Sequence, residues 1–217
     1  MPGHAVLDGW HDDSHDHGSR ASITPSPHQR GGSRDSRGES EGEDAVKALT
    51  VWQPWASLIV GSTDTPPQKP VENRDWRPPA SLVGQRIAIH AGRKMDDDAA
   101  YEIFKSKAFG SVAPPYRTLA LFPLGAVVGV ATLDRVIGPC RDVSIFFERR
   151  FERVPQPTID SWGLGDELRW YMGSLGWVFR DQIALAAPVT VKGAQGLWTL
   201  PSDVERRVVE QLGERAA

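Results

Sequence analysis

The chain has 217 residues, 40% of them hydrophobic and 24% charged, with a net charge of −3. That is enough for one domain of ordinary size with its own core, and too little charge for bulk attraction of nucleic acid. No apolar run approaches the ~18 residues of a membrane helix, the first twenty residues lack the basic and apolar regions of a secretory signal, and the single Cys140 excludes an internal disulfide or a Cys-based zinc site; together these predict a cytoplasmic protein.

The charge is unevenly spread. Residues 1–44 hold four Arg against nine Asp and Glu, a net of −5, and the rest holds 21 basic against 19 acidic residues, a net of +2. The 1–44 segment is rich in Gly, Ser, Asp, Arg and His and poor in aliphatic residues, so it is predicted to be a disordered tail. His4, His11, His15 and His17 lie in it without the surroundings that orient metal ligands, and no metal is expected. Residues 45–217 are predicted to form the domain, with an irregular insert near 139–170.

Within the domain, KALTVW reads as a first strand and QPWASLIVGS as a short helix, with Pro54 at its first position and Gly61 at its end. TDTPPQKP is a Pro-rich loop. QRIAIHA alternates Arg86, Ala88 and His90 against Ile87, Ile89 and Ala91, which predicts a half-buried strand with His90 on the polar face. MDDDAAYEIFKSKA begins with acids that suit a helix N-terminus. GAVVGVATLDRVI is a long buried strand with a bulge at Gly129. LGWVFRDQIAL is another strand, VTVKGAQGLWTL is strand, Gly turn and strand, and SDVERRVVEQLG is a closing helix in which Ser202 and Glu205 have the spacing of a capping box. This is an α+β pattern of short, mostly antiparallel strands, for which a small β-barrel with flanking helices is a natural closure.

The chemistry concentrates between Gln68 and Gly92. If the stretch is extended, Glu72, Arg74 and Trp76 share one face. Glu72 can accept from an amine edge, Arg74 can donate in a fork, and Lys69 offers a point charge for phosphate. Trp52, Trp55 and Trp76 can supply a flat wall for a base. Each has a plain alternative: the tryptophans as core, Glu72 and Arg74 as a loop ion pair, His90 as a structural side chain. Pro78–Pro79 and Gly84 hold the stretch against rigid neighbours.

LTVWQPWASLIV, KPVENRDW, GQRIAIHA and GAQGLWTL, in that order, resemble the ASCH domain family of the PUA-like β-barrel superfamily. Lys69, Glu72 and Arg74 match the Lys-x-x-Glu-x-Arg part of the family pattern; Gly61 stands for its glycine, across a longer loop. The resemblance spans roughly residues 46–201. It implies a PUA-like barrel that binds RNA or a modified nucleoside in a cleft holding Lys69, Glu72, Arg74, Trp76, Trp52, Trp55 and His90, with no cofactor. The alternative it implies is an enzyme, a nucleoside amidohydrolase of N4-acylcytidine type or a ribonuclease, with Glu72 and Lys69 as catalytic residues and His90 as proton carrier; Glu72 stands where the deacylase branch has Thr. A third reading is that FFERRFERV docks a protein partner or nucleic acid.

Overall fold

The computed structural model describes residues 45–106, 114–139, 161, 163, 165–172 and 175–214. All belong to the unit Glu41–Ala217. The expected tail, residues 1–44, and the patch FFERRFERV lie outside the described residues, as does most of the expected insert, whose described end forms a tight helical turn at Asp166–Trp170.

The elements run β1 (Lys47–Gln53), α1 (Trp55–Val60), β2 (Val71–Arg74), β3 (Arg86–Met95), α2 (Asp97–Tyr101), β4 (Ala126–Ile137), β5 (Leu175–Thr190), β6 (Leu197–Thr199) and α3 (Ser202–Glu214). The strands form one sheet in the order β2-β5-β4-β3-β1-β6. β1 and β3 pair in parallel and the other neighbours pair antiparallel. The α+β class is as expected. The edge strands β2 and β6 do not hydrogen-bond to each other, so this six-stranded sheet is open rather than a closed barrel.

Both faces of the sheet are covered. On one, α1 packs Ala56, Ile59 and Val60 against Leu49, Val51, Ile87, Ile89 and Trp177. On the other, α3 lays Val204 and Val208 against Ala48, Ala88, Val127, Val130 and Val189. This corrects the reading of His90. The alternation of β3 is real, but the face opposite the isoleucines is a second core and not a solvated surface, so His90 is only 2% exposed. Glu205 also departs from the capping-box expectation. The helix begins at Ser202 itself, and the Glu205 carboxylate accepts from the Val46 N–H at 3.4 Å, tying α3 to the start of β1.

The expected bulge at Gly129 is present, as a register shift between Val127 and Gly129 against β5. It has a packing reason. A Cβ there would stand 2.5 Å from the Ile183 carbonyl oxygen and 2.7 Å from Val60 Cβ, so β4 reaches α1 only through a residue without a side chain. Gly129→Ala is therefore expected to destabilise the domain by about 1–3 kcal/mol, measured as a lower denaturation midpoint at unchanged m-value.

Candidate functional site

Two cavities meet at Glu72 and Trp55. The larger, about 370 Å³, is lined by Thr50, Val51, Trp52, Trp55, Glu72, Arg74, Gln195 and Gly196. The smaller, about 220 Å³, is lined by Trp55, Lys69, Glu72, Asn73, Trp170 and Met172. β2 sets this arrangement. Its pairing with β5 places Glu72 opposite Trp177 and Arg74 opposite Leu175, and its alternation aims Glu72 and Arg74 to the same side.

A chain of charge runs through the wall. Lys69 Nζ donates to Glu72 Oε2 at 2.5 Å and to the Val71 carbonyl at 2.7 Å. Glu72 Oε1 lies 3.2 Å from Arg74 Nη2, which also donates to the Thr50 carbonyl at 2.8 Å. Lys69 is 4% exposed and Glu72 8%. Burial holds the Lys69 ammonium below its ordinary pKa, and the Glu72 carboxylate opposes that shift. Lys69 therefore does not stand over the larger cavity as a free charge for phosphate. It reaches the site from behind, as the buttress of Glu72. Arg74 differs. Its Nε is buried without a hydrogen-bond partner and its Nη1 has none among the described residues, while its side chain remains 18% exposed at the cavity wall. A guanidinium so placed can donate to a ligand carbonyl or ring nitrogen, and the Glu72 carboxylate beside it can accept from a ligand N–H.

The tryptophans divide. Trp55 stands between the cavities, its indole N–H donating to Asp96 Oδ2 at 2.9 Å. The other oxygen of Asp96 accepts from Ala99 N at the start of α2, so one carboxylate fixes both the ring and the helix. Trp55 meets Trp170 edge to face at 6.2 Å. Trp52 lines the larger cavity and is 50% exposed. Trp76 lines neither cavity. It packs edge to face on Trp177 at 4.8 Å and joins the core, which is the plain alternative for that residue.

His90 also lies outside both linings, one residue behind the larger cavity. Its Nδ1 is 3.2 Å from Thr50 Oγ1 and its Nε2 is 3.3 Å from the Val191 carbonyl. Thr50 Oγ1 receives the Trp198 indole N–H at 3.0 Å and donates to the Ala194 carbonyl at 2.6 Å. Gly193 lies against the His90 ring, where a Cβ would stand 2.2 Å from Cε1. His90 and Thr50 thus tie the loop 191–196, which brings Gln195 and Gly196 to the cavity, onto β1 and β3.

The sequence reading missed Thr50, Gln195, Gly196, Asn73, Trp170 and Met172. Gln195 and Gly196 sit in a Gly-x-x-Gly turn that marks a tight approach. Asn73 carried a signal too, an amide between Glu72 and Arg74; it clamps the 170–172 segment by donating to the Trp170 carbonyl and accepting from Met172 N. Trp170 and Met172 follow a stretch with no periodicity and carried none. Among the described residues no His, Cys, Asp and Glu group could hold a metal ion, and no helix is long and apolar enough to cross a membrane.

No family model and no curated protein matches the chain. Solved structures of an ASCH protein from Zymomonas mobilis do. One is 16% identical with a TM-score of 0.39, covering 76% of this chain and 94% of that one. A Tyr-to-Phe mutant of it is 18% identical with a TM-score of 0.40, covering 76% and 97%. A Ser-to-Ala mutant is 18% identical with a TM-score of 0.40, covering 76% and 95%. The chain is similar to these ASCH structures, and likeness at that level assigns no residue a role.

Two outcomes test the site's construction. Lys69→Met is expected to destabilise the domain by about 3–5 kcal/mol, because it leaves a buried carboxylate without its nearest cation, and adding Glu72→Leu should return most of that loss; a denaturation double-mutant cycle reads the coupling. The second concerns pH. Burial lowers the folded-state pKa of His90 below 6.5, so the unfolded chain binds the proton more readily. The contribution of neutral His90 is complete above pH 6.5 and is lost as pH falls from there through the lower folded value. Wild-type stability should fall as pH drops below 6.5 with an added slope of up to about 1.4 kcal/mol per pH unit, and His90→Gln should remove that part of the slope.

Proposed function

We propose that the larger cavity binds a nucleobase, free or as part of RNA. The observation that carries this is the pairing, on one wall, of a buttressed carboxylate with a guanidinium that has donors to spare. Glu72 accepts from an N–H of the base edge and Arg74 donates to the neighbouring carbonyl or ring nitrogen, the arrangement that reads an extruded base. Trp55 and Trp52 supply the aromatic surfaces. About 370 Å³ suits a heterocycle of one or two rings. Trp76 and His90 act behind this wall as packing and positioning residues, and Lys69 acts through Glu72.

Binding is favoured over turnover. As a general base, Glu72 would need an oxygen aimed at a water, but Lys69 Nζ stands 2.5 Å from its Oε2 and Arg74 Nη2 stands 3.2 Å from its Oε1. His90 has no place on the cavity surface from which to carry a proton. No observation at the site favours the amidohydrolase or ribonuclease alternative.

Titration of nucleosides and short single-stranded RNA, followed by tryptophan fluorescence, tests the reading. Saturable quenching is expected for at least one base. Arg74→Ala and Glu72→Gln, each first shown folded by thermal melting, should weaken it about tenfold or more, the loss expected when a hydrogen bond to a charged group is removed. Absence of binding by wild type up to ~1 mM overturns it.

A further inference from the structure

Trp52 is an aromatic that the core does not use. Its β1 neighbours Val51 and Gln53 are buried, yet half of its own surface is open to solvent. The residue lines the larger cavity and is also half open to solvent. Gly92 on β3 leaves room beside it, since a Cβ there would lie 3.6 Å from the ring. The exposed Lys94 brings its ammonium within 5.1 Å of the ring centroid. Inside the cavity the wall offers a carboxylate and a guanidinium. At the mouth it offers a ring and the Lys94 ammonium. The exposed Asp97 and Asp98 follow at once in the first turn of α2 and bound this basic step, so it suits one phosphate rather than a long track.

We infer that the cleft takes a single strand rather than a lone nucleoside: one base enters the cavity, the adjoining phosphodiester meets Lys94, and the next base stacks on the outer part of Trp52. This rests on the nucleobase reading above. An exposed indole stacks any base, because every base has a π-face, and a cation beside it matches the charge that links two bases.

Calorimetric titration of the four ribonucleosides and the four corresponding homodinucleotides tests it on the full chain. For the base that binds best, the dinucleotide is expected to bind about tenfold tighter than the nucleoside, well beyond the twofold that two identical bases give by statistics. The dinucleotide's affinity should fall with salt at a logarithmic slope of about −0.7, that of one phosphate contact. Trp52→Ala should collapse the dinucleotide-to-nucleoside ratio to about two, and Lys94→Gln should flatten the salt slope. A ratio of two or less in wild type, with the nucleoside still bound, overturns the inference and leaves the cavity reading standing, as does a ratio untouched by Trp52→Ala. Failure of every nucleoside and dinucleotide to bind overturns both.

Discussion

The buried ion chain from Lys69 through Glu72 to Arg74 is the constraint on which the cleft depends. A carboxylate this deep costs several kcal/mol in lost hydration, and only close cations with good geometry offset it. Lys69 meets that need from the protein side at 2.5 Å, with its second bond to the Val71 carbonyl locking it in place. Arg74 meets it from the cavity side at a longer 3.2 Å, and is itself held by the Thr50 carbonyl. The division is uneven, and the unevenness makes a site. The inner cation is consumed, while the outer one keeps donors unspent. Replacing the inner pair by apolar side chains would lose little stability; what it would remove is a carboxylate held at fixed height on an aromatic wall.

The sheet delivers this geometry by bringing four separate segments to one place. β2 carries Glu72 and Arg74, β1 carries Thr50 and Trp52, α1 begins at Trp55, and the loop before β6 carries Gln195 and Gly196. The loop is tied to the strands by Thr50 Oγ1 and the His90 ring. The 191–198 segment is what makes this knot dry: Gly193 lies against the His90 ring and Trp198 meets it edge to face at 5.5 Å. Site and core are therefore one construction. The cavity wall is backed by the packing of α1 against the sheet.

Much of the fold was legible. β1, α1, β3, β4, β5 and α3 follow from alternation, from apolar runs and from Pro54, Gly61 and Gly129, because each signal acts between neighbours in the chain. Where the reading failed, a distant segment decided. Glu205 has the spacing of a capping box, but Val46, 159 residues away, takes its carboxylate. The polar parity of His90 was read correctly and its burial was not, because the segment that covers it begins at Val191, 101 residues away. Trp76 alternates with Glu72 and Arg74, yet Trp177 captures its ring.

By itself, the sequence determined the kinds of groups at the site and their order: a lysine, a carboxylate and a guanidinium within six residues, aromatic residues before them, glycines after. It also determined the α+β class, since periodicity records which faces must be buried. The tertiary structure alone decided which of those charges remains available. Lys69 and Arg74 are both single cations on one short segment, and nothing local distinguishes them. Burial against Trp55 and Val71 commits the first, and exposure at the cavity wall leaves the second with donors to spare, because desolvation depends on what packs around a charge and not on its neighbours in the chain.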